Sequence, residues 1–263
     1  MEMKEISGFL ENMYSVKGKT AIVTGATGGL GRIVSAGLAV AGAKVMMTGR
    51  NEKKLASLAE ELTALGGSVA YSTGDPAIHE DVKKNVTETV AKFGNIDILV
   101  TAAGVNKPGA ITEQSVEEWQ MIMDANVKGT YLFCKEVGAN MIESKTKGKV
   151  ILVGSARGHL GLTNYTGYCP SKGAIHLMAK TLACEWGPHG INVNAIAPTV
   201  FRTALTQWIF DDEVVHANFL KRIPLGRLGE AEDLIGVIVF LASKASDFVT
   251  GAIIDADGGY MAG

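Results

Sequence analysis

Seven short apolar runs, each separated from the next by a segment of helical periodicity, do most to limit what this chain can become. They occupy residues 19–24 (KTAIVT), 44–48, 68–72, 96–101, 149–154 (KVILVG), 191–196 and 252–255. Runs that are apolar throughout, rather than alternating, read as strands buried on both faces. Helices are predicted at 31–41, 52–65, 78–93, 116–143 with an interruption near Ala125, 168–186 and 230–241. Parallel strands need such crossovers, and crossovers are right-handed.

The arrangement that satisfies these rules is α/β: a Rossmann-type, doubly wound parallel sheet of about seven strands, with helices on both faces. No Pro/Ser-rich linker or shift in composition divides the chain, so residues 1–263 read as a single domain. Only 200–226 interrupts the rhythm. It carries Phe201, Trp208, Phe210 and Phe219 in a chain that is 6% aromatic, and is expected to form a substrate lid. A packed helical hairpin without substrate contact is the alternative.

Charge excludes one class of partner. With 25 Lys+Arg against 27 Asp+Glu, the net charge is −2, which argues against nucleic-acid binding by phosphate neutralisation. Cys134, Cys169 and Cys184 are odd in number and lack CxxC spacing, as expected for a reducing compartment without structural zinc. The five histidines (79, 159, 176, 189, 216) show no HExxH spacing, so no metal is expected. The opening MEMKEISGFLENMYS carries acidic residues and no apolar core, which is unlike a secretory signal. The most apolar stretches, 33–43 and 234–242, are too short to span a bilayer. The expectation is a soluble, cytoplasmic protein.

Two motifs carry chemistry. Between the first strand and its helix stands Thr24-Gly25-Ala26-Thr27-Gly28-Gly29-Leu30-Gly31. Glycines there permit a sharp turn and close approach of the backbone to a pyrophosphate, while the helix N-terminus offers unpaired N–H groups. The second motif is Tyr168-Cys169-Pro170-Ser171-Lys172, in which phenol and ammonium share one helix face at i and i+4. A free phenol titrates near ~10, too high to shuttle protons at neutral pH, and a nearby lysine ammonium would favour the phenolate. Ser155 follows KVILVG at the C-terminal edge of the sheet, where ligands of open α/β folds bind.

Together these residues resemble the short-chain dehydrogenase/reductase family, over nearly the whole chain. Asn126 in DANVKGTYLF, Ser155, Tyr168 and Lys172 match the family's four catalytic positions. Thr101-Ala102-Ala103-Gly104 stands at its NNAG position and Asn194-Ala195-Ile196-Ala197-Pro198 at its NxIxPG position. Thr250-Gly251 and Asp257-Gly258-Gly259 match the carboxy-terminal signature. The resemblance implies that Tyr168 exchanges the substrate proton and Ser155 hydrogen-bonds the reacting oxygen. It implies that Lys172 lowers the phenol's pKa and holds the nicotinamide ribose, and that Asn126 holds a water relay. It places the cofactor on Gly25, Thr27, Gly29, Leu30, Gly31, Arg50, Asp75, Ala103, Gly104, Tyr168, Lys172, Pro198, Val200 and Thr203. Two departures stand out. TAAG lacks two side-chain amides that usually brace the sheet, and Thr199 replaces the usual glycine after Pro198.

At the end of the second strand, Thr48-Gly49-Arg50-Asn51 offers no carboxylate for a ribose 2′-hydroxyl and an arginine suited to a 2′-phosphate. NADP(H) is favoured and NAD(H) stays open, since Arg50 can also be a solvated surface residue. Gly28 stands where many NADP-specific relatives carry a second basic residue, and Asp75 matches the position that contacts the adenine amino group.

The substrate is less legible. Arg157 and His159 follow Ser155 and can face the pocket, where a guanidinium suits a carboxylate or enolate; a salt bridge fixing the loop and plain packing are the alternatives. Asn106, Lys107 and Trp208 are further candidates. Within the family the chain is similar to the gluconate 5-dehydrogenase-like group, through NVKGTYLFCKEV, LACEWGPHGINVNAIAP and RIPLGRLGEAEDLIGVIVFLAS. That likeness implies a keto sugar acid such as 5-ketogluconate. A cyclic polyketone or polyhydroxyarene, a 3-oxoacyl thioester, and a catalytically silent nucleotide sensor stay open. The resemblance also implies a homotetramer, with the helices of 124–142 and 168–186 pairing across a two-fold axis.

Overall fold

The computed structural model describes residues 9–10, 12–203 and 206–262. Its strands are β1 (Thr20–Thr24), β2 (Lys44–Gly49), β3 (Ser68–Thr73), β4 (Ile98–Thr101), β5 (Lys149–Val153), β6 (Asn192–Pro198) and β7 (Ile253–Ala256). All pair in parallel in the order β3-β2-β1-β4-β5-β6-β7. The helices are α1 (Gly29–Val40), α2 (Glu52–Ala64), α3 (His79–Phe93), α4 (Val116–Met123), α5 (Gly129–Glu143), α6 (Tyr168–Trp186), α7 (Gln207–Asp211), α8 (Glu213–Leu220) and α9 (Ala231–Ala242).

Because side chains alternate along a strand, the sheet feeds two cores. Ala21 and Val23 of β1 and Val45 and Met47 of β2 join Val34 and Leu38 of α1 and Leu234 and Ile238 of α9. Between them, Ile22 and Met46 point the other way, to Val82 of α3, Phe133 of α5 and Ile175 of α6. Each leucine or isoleucine fully buried this way contributes about 1.5–3 kcal/mol, and so both faces must be covered. A third, smaller core lies off the sheet, where Ala156, Ile209, Ile223, Leu228 and Tyr260 meet.

β1 is flanked by β2 and β4, with Thr24 opposite both Thr48 and Thr101. The chain leaves this point in both directions, which opens a crevice beyond the C-terminal strand ends.

The expected boundaries hold within a few residues, and the differences have local causes. β4 begins at Ile98, and the carboxylate of Asp97 just before it accepts from the Thr20 N–H at 2.9 Å and the Lys19 ammonium at 2.8 Å. The expected break near Ala125 is a π-helical turn, Asp124–Lys128, that joins α4 to α5 without leaving the helix. Within 200–226 the chain forms α7 and α8, the latter capped by Asp212, whose carboxylate accepts from the Val214 and Val215 N–H groups. Residues 204 and 205 of this expected lid lie outside the described residues, as do residues 1–8 of the leader.

Candidate active site

The glycine loop is shaped by steric need. Gly25 has φ +61°, and a Cβ there would stand 2.7 Å from the Ala103 Cα. A Cβ on Gly31 would fall 2.2 Å from the Gly25 carbonyl oxygen. Both positions exclude any side chain, because backbone cannot yield as a flexible side chain does. Gly28 precedes α1 in extended conformation and gives no side-chain cap, so the first turn of α1 keeps N–H groups available. Gly29 lies against Thr203, where a Cβ would come within 2.4 Å of the threonine methyl. The Thr24 hydroxyl accepts from the Ala103 N–H at 3.0 Å and ties the two strand ends together.

One arm of the crevice is lined by Thr24, Gly25, Thr27, Gly28, Arg50, Asp75, Ala103, Gly104 and Ala125. Arg50 is largely exposed and its guanidinium lies 4.0 Å from the Asp75 carboxylate. Asp75 also accepts from the Ala77 N–H at 2.9 Å, which fixes its orientation.

The other arm is a cavity of about 660 Å³, on whose walls Ser155, Tyr168 and Lys172 meet Gly28, Gly29, Leu30 and Gly31. Ser155 stands just past β5, while Tyr168 and Lys172 share the first turns of α6. The Ser155 hydroxyl accepts from the Arg157 N–H at 3.1 Å and lies within hydrogen-bonding reach of the Tyr168 phenol. Burial pushes that phenol above its ordinary range, against the Ser155 hydrogen bond and, more weakly, the Arg157 guanidinium. The Lys172 ammonium donates to the Val153 carbonyl at 2.9 Å and is pulled down to about 8 by burial. It sits 5.7 Å from the Tyr168 ring centre. From the sequence a nearby lysine ammonium is expected to favour the phenolate; here burial opposes the charged form and the Ser155 hydrogen bond favours it.

Asn126 sits on the π-helical turn, a distortion often found at functional sites. Its Oδ1 accepts from the Val105 N–H at 2.7 Å; its Nδ2 donates to the Val105 carbonyl at 3.0 Å and the Ser171 hydroxyl at 2.9 Å. Ser171 in turn donates to the Tyr168 carbonyl at 2.7 Å. Asn126 is thus tied to the helix that carries the tyrosine. It also fronts Gly104, where a Cβ would lie 3.1 Å from its Oδ1 and 3.5 Å from the Lys172 ammonium.

Of the remaining residues singled out in the sequence, Gly104, Asn106, Pro198, Thr199, Thr203 and Trp208 line the same cavity. Val200 packs against the third core instead. Arg157 and His159 are turned away by the 3-10 turn Ala156–Gly158. The Arg157 guanidinium donates to the Tyr260 hydroxyl at 2.9 Å, and the His159 Nε2 lies 3.1 Å from Asp255. Neither lines the cavity, and Arg157 makes its contact with a ring hydroxyl rather than the salt bridge considered from sequence. Val105, Pro108 and Thr206 line it without having been singled out, and Ser171 supports it unannounced. Among the described residues the Thr101 hydroxyl of TAAG is buried without a hydrogen-bond partner. Among the described residues no group of three or more His, Cys, Asp or Glu is placed to hold a metal ion. No helix among them is long and apolar enough to cross a membrane.

A family model described as Enoyl-(Acyl carrier protein) reductase matches residues 25–261. An uncharacterised oxidoreductase of Mycobacterium tuberculosis is 44% identical over 255 residues, covering 95% of this chain and 93% of its own. A 2-dehydro-3-deoxy-D-gluconate 5-dehydrogenase of Escherichia coli is 38% identical over 249 residues, covering 95% and 98%. The crystal structure of a gluconate 5-dehydrogenase from Burkholderia cenocepacia, in complex with NADP and tartrate, superposes with a TM-score of 0.91 at 33% identity, covering 96% and 98%.

Proposed function

We propose that this chain, which belongs to the short-chain dehydrogenase/reductase family, uses NADP(H) to interconvert a ketone and a secondary alcohol in a small polar substrate. The substrate favoured is a keto sugar acid such as 5-ketogluconate; the Escherichia coli and Burkholderia relatives are named for the sugar acids 2-dehydro-3-deoxy-D-gluconate and gluconate. One observation carries the reading: the glycine loop and Ser155, Tyr168 and Lys172 share a single cavity.

The residues present fit a dinucleotide. The absence of a Cβ at Gly25 and Gly31, where one would collide with backbone, lets the loop turn tightly, and the α1 N-terminus offers its N–H groups to a pyrophosphate. Arg50 would hold a 2′-phosphate and Asp75 an adenine amino group. When bound, the nicotinamide supplies or accepts the hydride. The rest falls to the chain. Ser155 holds the reacting oxygen within reach of the Tyr168 phenol, and Tyr168 hands over or takes up the proton. A positioned acid of this kind contributes roughly 10²–10⁴ in rate. Lys172 holds the ribose and stabilises the phenolate that forms. Asn126, braced on Val105 and Ser171, keeps the α6 N-terminus in register with the cavity. Thr203 and Trp208 cover the site from 200–226 and exclude water.

A second reading has a specific observation behind it. Among the described residues no arginine lines the cavity, and Leu30, Val105, Pro108, Phe201 and Trp208 give it apolar walls. Such walls suit a cyclic polyketone or polyhydroxyarene. NADPH oxidation measured with keto sugar acids, cyclic diketones and polyhydroxyarenes separates the readings by kcat/KM. Highest turnover of keto sugar acids is expected. Highest turnover of cyclic ketones selects the second reading, and NADPH binding without turnover of any carbonyl defeats both.

The assembly proposed is a cytoplasmic homotetramer that pairs α5 and α6 with their copies. Leu132, Phe133, Val137 and Ile175 serve the chain's own core, whereas Tyr131 (52% exposed) and Leu177 (65%) are left outward. Light scattering at micromolar concentration tests it; a monomer mass contradicts it.

A further inference from the structure

Beneath the catalytic serine lies a histidine that no step above uses. His176 stands one turn beyond Lys172 on α6, and its side chain is buried, with 4% exposure for the residue. Among the described residues its Nε2 has no hydrogen-bond partner. Two glycines close over the ring: a Cβ on Gly154 would come within 2.4 Å of Nε2, and one on Gly158 within 2.4 Å of Cε1. These glycines bracket Ser155, Ala156 and Arg157. The Gly154 N–H donates to the Ile196 carbonyl at 2.8 Å, which anchors that end of the segment to β6. The Gly158 N–H donates to the Ser155 carbonyl at 2.8 Å, so Gly158 and the serine move together. On another side the His159 ring lies 4.4 Å away, itself held 3.1 Å from Asp255. The imidazole has little freedom to shift.

Ser155 and Tyr168 belong to different elements, one at the end of β5 and one on α6. Their spacing therefore depends on what separates the loop from the helix. We propose that His176 is a positioning residue for the reaction: its imidazole is the floor under the Gly154–Gly158 segment, and the height of that floor sets where the Ser155 hydroxyl stands relative to the Tyr168 phenol. The inference rests on the reading that Ser155 holds the reacting oxygen. The ring stays uncharged, pulled down to about 4 by burial first, then by His159, Lys172 and Lys180, so no second cation competes beside Lys172. Gly173 on α6 belongs to the same arrangement, since a Cβ there would lie 3.5 Å from the Gly158 carbonyl.

The test compares Gly158→Ala, His176→Ala and the double variant for kcat at saturating NADPH, NADPH Kd and melting temperature. Each single variant is expected to lower kcat about tenfold or more, because misplacing reacting groups by a fraction of an ångström is costly, with NADPH Kd within about twofold. In the double variant the added methyl enters the space of the missing ring. It should recover kcat about fivefold or more above Gly158→Ala, a coupling that independent sites do not show. Wild-type kcat in Gly158→Ala, or a double variant whose loss is the product of the two single losses, overturns the inference. Should Gly158→Ala not fold, His176→Leu fills the space without the flat ring; wild-type kcat in that variant overturns the inference, and a loss at unchanged Kd upholds it. Ser155→Ala is measured alongside. Full turnover in Ser155→Ala defeats the underlying reading and the inference with it, whereas its inactivity beside a fully active Gly158→Ala defeats the inference alone.

Discussion

The Lys172 ammonium is held against the Val153 carbonyl at 2.9 Å, so that a buried cation on α6 rests on the last residue of β5. Burial takes it from an ordinary 10.5 to about 8. Between these values the unfolded chain binds this proton and the folded chain does not, so stability rises as pH climbs from 8 to 10.5. The shift corresponds to about 3 kcal/mol. Urea unfolding across that window should show the wild type gaining on Lys172→Met as pH rises. Parallel curves would mean the ammonium is not desolvated. The same variant is expected to lose both turnover and NADPH affinity, since one group serves the phenol and the ribose; normal affinity would remove the ribose from its role.

Tyr168→Phe removes the phenolic proton and keeps the ring between α6 and the cavity. Turnover is expected to fall by about 10²–10⁴ while NADPH affinity changes only a few-fold. Fluorescence titration with NADPH and steady-state assays report the two quantities separately. Substantial residual turnover would assign the proton to another group.

Arg50 projects into solvent, 4.0 Å from Asp75, at the mouth of the arm expected to take the adenosine. Arg50→Asp removes a charge-assisted contact with a 2′-phosphate and adds repulsion. The NADP/NAD ratio of kcat/KM should fall at least tenfold, about 1.4 kcal/mol. An unchanged ratio would place the phosphate elsewhere or make NAD the natural cofactor.

Arg157 bears on Tyr260 rather than on the cavity. A hydrogen bond from a charged group is worth about 1.5–3 kcal/mol, so Arg157→Ala should lower the unfolding free energy by about that amount. Because Arg157 braces the serine's loop, its kcat/KM losses should be equal for carboxylate and neutral substrates. A loss confined to KM for carboxylate substrates would instead make the guanidinium an anchor for the anion.

What the sequence disclosed depends on how local the cause is. Gly25 and Gly31 are legible because the positive φ of the first and the approach of the second to the Gly25 carbonyl arise within one loop, and Tyr168 and Lys172 because helical spacing alone puts them on one face. The sheet was legible from runs such as KVILVG, whose lack of alternation already requires cover on both sides. Arg157 was not, because its partner Tyr260 lies 103 positions away and loop direction is decided by that contact. His159 and His176 pose the same problem: only the folded chain brings their rings together and closes Gly154 and Gly158 over the second. α7 and α8 were legible only as the alternative helical hairpin, without boundaries, because they are short and only Asp212 marks a helix start within an aromatic segment.

The central claim is direct hydride transfer to a sugar-acid ketone, and isotope transfer tests it most directly. NADPH carrying deuterium at the nicotinamide C4, prepared separately as each epimer, is incubated with 5-ketogluconate and the enzyme, and the alcohol is examined by mass spectrometry. The expected result is a product heavier by one deuterium from one epimer and unlabelled product from the other, with Tyr168→Phe forming it about 10²–10⁴ times more slowly. No product from either epimer, or product without label from both, would contradict the account.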